Sequence, residues 1–130
     1  MKIETTLAQI SAGIPRLIEL DTLRFKGSYH ASKLQTSCEA ENKIFEAHRL
    51  KLCKQYGTAN AGNTGFTFPK ENQEAFAADY ETLCATKVSF DLTKLKMEDL
   101  ESAIFLDKEG VVHKNCVSTG VFRELAWAIE

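Results

Sequence analysis

Cysteine and histidine are the side chains from which nucleophilic or metal chemistry could be built in this chain. Four cysteines, Cys38, Cys53, Cys84 and Cys116, are scattered with no Cys-x-x-Cys pair. A Cys–His nucleophile needs thiol and imidazole side by side, with something to lower the thiol pKa. Cys38, Cys53 and Cys84 fall inside helical patterns or near a helix C-terminus, where the backbone dipole opposes a thiolate. His113 and Cys116, close in sequence beside an expected hairpin, are the least implausible pair. A zinc site wants four converging ligands, usually in close pairs. His48 and Cys53 lie five residues apart on one helix, about 140° around its axis, and so face different ways. Gly57, Gly62 and Gly65 follow a helix and do not open one, so neither a phosphate-binding loop nor a dinucleotide fingerprint is present. No catalytic residue, metal site or cofactor is expected.

What remains is surface. The run His48-Arg49-Leu50-Lys51-Leu52-Cys53-Lys54 is the one basic cluster. Cations in the last turns of a helix complement its dipole, which accounts for the run without a ligand. The functional reading makes His48, Arg49, Leu50, Lys51 and Lys54, together with Trp127, a partner surface. Trp127 stands about 200° around the axis from Leu125 on an expected last helix. Either that helix is buried on two sides or Trp127 is an exposed anchor for a partner. Nucleic acid is a poor match, because neighbouring exposed aromatics are missing and the formal charge is −2. Glu98, Asp99 and Glu101 read as a solvated turn.

Helices must carry most of these residues. Thr6-Leu7-Ala8-Gln9 has the form of a capping box, and residues 2–5 could pair as a short strand before it. Leu7, Ile10, Ile14, Leu17 and Ile18 then recur at helical spacing. Pro15 predicts a kink, or two short helices meeting near Gly13. Asp21 to Gly27 reads as a connection, and Ser28 as the N-cap of a long helix from about Tyr29 to Tyr56. Leu34, Cys38, Phe45, Leu52 and Tyr56 form its apolar stripe, which Ala40, Ile44 and Ala47 widen. Gly57 closes that helix, and Thr58 to Gly65 is expected as a loop. Gly65-Phe66-Thr67-Phe68-Pro69 alternates like a short strand closed by proline, and Glu71 to about Thr86 returns to helical spacing with Phe76, Tyr80, Leu83 and Cys84 inward. Lys87 to Leu92 alternates strictly and predicts a strand. Ile104 to His113 reads as a hairpin turning at Asp107–Gly110, and Ser118 or Thr119 caps a last helix with Phe122, Leu125 and Ile129 inward.

The expected class is α+β: a long amphipathic helix paired with a shorter antiparallel helix, flanking short helices and a small antiparallel sheet. At 130 residues one domain is expected over the whole chain, with the hairpin 104–113 as a candidate insertion. Cys38 and Cys53 would lie roughly 22 Å apart, beyond disulfide reach, so reduced and mostly buried thiols are expected. No stretch approaches the roughly 18 apolar residues of a membrane span, and Met1-Lys2-Ile3-Glu4 leads into no signal-like core, so a cytosolic location is expected. Charge is segregated: residues 24–54 hold seven Lys/Arg against three Glu, and residues 71–109 hold four Lys against ten Asp/Glu. Antiparallel elements with complementary outer faces would explain this, and so would a polar partner surface.

The order of elements resembles small, functionally uncharacterised proteins encoded by tailed phages and prophages. The resemblance runs over most of residues 1–100. It is carried by the entry Ser28-Tyr29-His30-Ala31-Ser32-Lys33-Leu34, by Phe45-Glu46-Ala47-His48-Arg49, and by Lys54-Gln55-Tyr56-Gly57. Gly62-Asn63, the helix through Phe76 and Glu81, and Val88-Ser89-Phe90-Asp91-Leu92 follow in order. The hairpin Ile104–His113 departs from that pattern, since such proteins run from the strand almost directly into the last helix. The resemblance implies a phage context and no active site to carry over. The expected function is therefore protein–protein binding without catalysis, first as a host-directed inhibitor of a bacterial enzyme or defence complex in the host cytoplasm. An accessory or minor structural role in virion assembly is the alternative, and a small-ligand or nucleotide binder the next. The partner would be a host or phage protein, or a second copy meeting along the long helix, whose 42 Å outruns a sixteen-residue neighbour of roughly 24 Å.

Overall fold

The computed structural model describes residues 2–130, the side chain of Asn63 excepted. Strand β1, Ile3–Thr6, turns Ile3 and Thr5 inward and Glu4 outward. It pairs antiparallel with β4, Lys87–Phe90, setting Ile3 opposite Phe90 and Thr5 opposite Val88. Thr6 ends the strand and caps α1, Leu7–Asp21. Its hydroxyl accepts the Gln9 N–H at 3.3 Å while the Gln9 side chain accepts the Thr6 N–H at 3.1 Å, the reciprocal box the sequence spells out. One helix runs through Pro15, so of the two expectations there the meeting of two short helices near Gly13 does not occur. Pro15 faces solvent, and Gly13 serves a close approach: a Cβ there would stand 2.9 Å from Leu125 and 3.3 Å from Trp127. Ile18, expected inward, is half exposed, because Leu17 and Leu20 already fill the inward arc.

Helix α2, Ser28–Tyr56, is 29 residues and about 43 Å long. Ser28 is its first residue and not its cap; Gly27 takes the cap position without a side-chain bond. The helix buries Ala31, Leu34, Cys38, Phe45 and Cys53. Ala40, Ile44 and Ala47, expected to widen this stripe, point to solvent. Its more extensive partner is α1, with α3, Lys70–Cys84, the lesser one. The expected pairing of the two longest patterns was thus only half of the arrangement, and α1 covers the turns that α3 is too short to reach. Helix α3 has no fully buried residue and leans on α2 through rings. Tyr80 stacks on Phe45 at 6.3 Å between centroids, Phe76 on Tyr80 at 5.7 Å, and Phe68 lies 4.3 Å from Phe76.

The stretch expected as a loop contributes β2, Thr58–Ala59, which pairs antiparallel with β3, Phe66–Thr67, across a 3-10 turn at Ala61–Asn63. The acidic run is not a turn but a short helix, α4, Met97–Glu101, that buries Leu100. Strands β5, Phe105–Leu106, and β6, Val112–His113, form the expected hairpin, with its side chains largely exposed. Helix α5, Thr119–Glu124, is short and passes into a 3-10 turn at Ala126–Ala128. Val121, Leu125 and Ala128 are fully enclosed, while Phe122 and Ile129 of the expected set pack, partly buried, against the same core. Ser118 stands at the cap position, yet its hydroxyl donates to Glu19 at 3.0 Å. Backbone bonds of 2.8 Å from Leu95 to Ala128 and from Glu130 to Leu95 fasten the last residues. Among the described residues the fold is α+β: five α-helices and three separate two-stranded antiparallel sheets, where one small sheet was expected.

Candidate functional site

The chain leaves α2 abruptly. Gly57 is extended at φ −133°, and its N–H closes on the Cys53 carbonyl at 2.8 Å. No left-handed glycine cap is formed, so conformational freedom is not what the position requires. Space is: a Cβ on Gly57 would meet the Phe68 ring at 2.9 Å. Asn72 donates to the Tyr56 carbonyl at 3.0 Å, and the Tyr56 hydroxyl donates to Asp79 at 2.5 Å, so α3 holds the end of α2 from one side. On the other side the β2–β3 ribbon stands beside the last turns of α2. A groove of about 500 Å³ opens between them, lined by Leu50, Lys54, Gly57, Ala59, Gly65 and Phe66, with Thr58. Its floor is mostly carbon, and Lys54 brings the charge.

The sequence-selected residues divide around the helix. Leu50, 39% exposed, and Lys54, about 40° further round, both line the groove. Lys51 is exposed beside them. His48 is exposed but about 160° from Leu50, outside the groove. Arg49, about 100° from Leu50 and on the side away from Lys54, pairs with Glu46 at 2.8 Å, whose carboxylate holds the guanidinium above its ordinary pKa. Trp127 is elsewhere: half-buried on the C-terminal turn against Gly13 of α1, its indole N–H donating to the Glu124 carbonyl at 2.9 Å. Of the two alternatives for Trp127, packing is the one observed. The ribbon side of the groove, above all Phe66, was missed. The Gly57–Gly65 bracket with Phe66 directly after it was the available signal.

The chemical candidates are not assembled. His113 Nε2 meets Asp107 Oδ2 at 2.9 Å, while the Cys116 thiol donates to the Ala103 carbonyl at 3.4 Å. Cys53 is buried and His48 exposed. Cys38 is wholly enclosed, and burial, helped by Glu39 and Glu41, pushes its pKa up to about 12. All four cysteines are free thiols. Among the described residues no three His, Cys, Asp or Glu side chains gather as a metal site, and no helix is long and apolar enough to cross a membrane.

No close ion pair joins the two segments of opposite charge, 24–54 and 71–109, among the described residues, where every ion pair is local in sequence. A smaller cavity of about 200 Å³ at the start of α2 gathers Lys26, His30, Lys94 and Lys96, with Asp99 sharing the space. No family model matches the chain, nor does any curated protein or solved structure. The phage resemblance rests on its motifs alone.

Proposed function

We propose that this is a non-catalytic binding protein that docks a protein partner at the groove between the end of α2 and the β2–β3 ribbon. The observation that carries the reading is the groove itself: an apolar floor of Leu50, Ala59 and Phe66 beside Lys54, which has no ion-pair partner among the described residues. Apolar surface bordered by uncompensated charge suits a polar-rimmed protein contact. In the phage setting that the motifs imply, the partner is a host protein, an enzyme or defence complex inhibited in the host cytoplasm. The test is a photo-crosslinking residue at Leu50, produced in the bacterial host, with adducts identified by mass spectrometry. One dominant host adduct, lost when Phe66→Asp is added, is expected. Adducts with virion components would move the protein to assembly, and no adduct at all would remove the groove from consideration.

A further inference from the structure

The groove lies at the end of a longer surface. Measured around α2 at 100° per residue, an arc of about 120° from Leu50 to Ile44 contains only exposed residues. Its apolar members are Tyr29, Ala40, Ile44, Ala47 and Leu50, with Tyr29 68% and Ile44 56% exposed. Between them stand Lys33, Lys43, Lys51 and Lys54. No carboxylate falls on the arc. Beyond the Leu50 edge Glu39 accepts from Gln35 at 3.0 Å and Glu46 from Arg49 at 2.8 Å, and beyond the Ile44 edge Glu41 stands about 60° away. From Tyr29 to Lys54 the face runs about 37 Å, with the β2–β3 ribbon beside it only at its last turns, where Leu50 and Lys54 line the groove.

We infer that this outer face of α2, ending in the groove, receives an acidic amphipathic helix of a protein partner. Charge decides the occupant. Two copies of α2 laid antiparallel across Ile44 would set Lys54 of one near Lys33 of the other, and a parallel pair would set each lysine against itself. Like charges at such spacing oppose association, so a symmetric self-pairing is disfavoured. A phosphate polymer would satisfy the lysines but leave Ile44, Leu50 and the groove floor without contacts. A helix with carboxylates flanking an aliphatic stripe satisfies both, in the helix-on-groove mode of recognition. The inference rests on the protein-binding reading and narrows it to a partner chemistry.

The test pans the full chain against a displayed library of helical peptides. Alongside it runs the charge-reversed variant Lys43→Glu/Lys51→Glu/Lys54→Glu, which alters exposed positions only. Wild type should enrich net-negative sequences with Leu, Ile or Phe at three- and four-residue spacing, and the reversed chain should enrich basic ones. Leu50→Asp should weaken the leading peptide at least about tenfold, with the thermal midpoint unchanged. Neutral or basic sequences on wild type, or no enrichment, would overturn the inference. So would a single-stranded oligonucleotide or phosphatidylserine vesicles binding as tightly as the peptide. If the Leu50 crosslink finds a host protein while the library returns nothing acidic, the binding reading stands and this narrowing of it falls.

Discussion

Cys38 sits fully enclosed beside Leu34 and Phe45 on the inward face of α2, and its raised pKa keeps it a thiol at any physiological pH. In the native protein a thiol reagent should therefore modify Cys84 and Cys116, which are partly exposed, well before Cys38 or Cys53. Labelling of Cys38 at the rate of Cys116 would contradict this. Cys38→Ala should cost about 1–2 kcal/mol of stability through lost packing, read from denaturant unfolding. Asn42 should respond the other way. Its side-chain oxygen is enclosed without a hydrogen-bond partner among the described residues. Asn42→Ala removes that desolvated carbonyl and improves helix propensity, so a gain of about 1 kcal/mol is expected in the same experiment. Cys38 was legible from sequence because its spacing set it with Leu34 and Phe45. The outward turn of Ala40, Ile44 and Ala47 was not, because α2 is apolar on two sides and only the seating of α1 settles which is covered.

Among the elements, the β5–β6 hairpin is held by one carboxylate. Asp107 accepts the backbone N–H groups of Glu109 at 3.0 Å and Val111 at 2.8 Å and also meets His113. The His113 contact first, then the Val111 N–H, holds its pKa below the ordinary carboxylate value. The sign follows: its contribution to the hairpin is complete above the ordinary value and is lost as pH falls through the lowered one. NMR should show Asp107 titrating below the ordinary carboxylate value, with the Val111 amide losing protection in step; an ordinary midpoint would contradict the turn geometry. Because the hairpin's own side chains are largely exposed, replacing Asp107–Gly110 by Asn-Gly should leave the global unfolding midpoint nearly unchanged. Gly57→Ala should instead displace Phe68 and the ribbon, abolishing any crosslink from Leu50 while the circular dichroism of the helices persists. Helices and this hairpin were readable because spacing and caps are local signals. Strand β2 was not, since two residues of backbone pairing leave no periodicity.

At the scale of the whole molecule, the α+β class could be read from the sequence, but the arrangement of sheets and the dominance of α1 over α3 could not. Both depend on residues far apart in the chain: Ile3 against Phe90, Arg24 against Ile104, Leu95 against Ile129. The core is closed by residues from both ends of the described chain, with Ile3, Val121, Leu125 and Ala128 all without exposure. Ending the chain before Val117 should consequently yield a protease-sensitive product without a cooperative unfolding transition, whereas a folded truncation would show that the C-terminal turn is dispensable. The same closure governs the molecule's birth. At ordinary rates of translation, about 5–20 residues per second, the α2 helix emerges from the ribosome seconds before its core can be sealed. During that interval the apolar faces of α1 and α2 are both uncovered in the nascent chain. Such uncovered apolar surface is open to chaperones and to aggregation during that interval, and is withdrawn once Ala128 is in place.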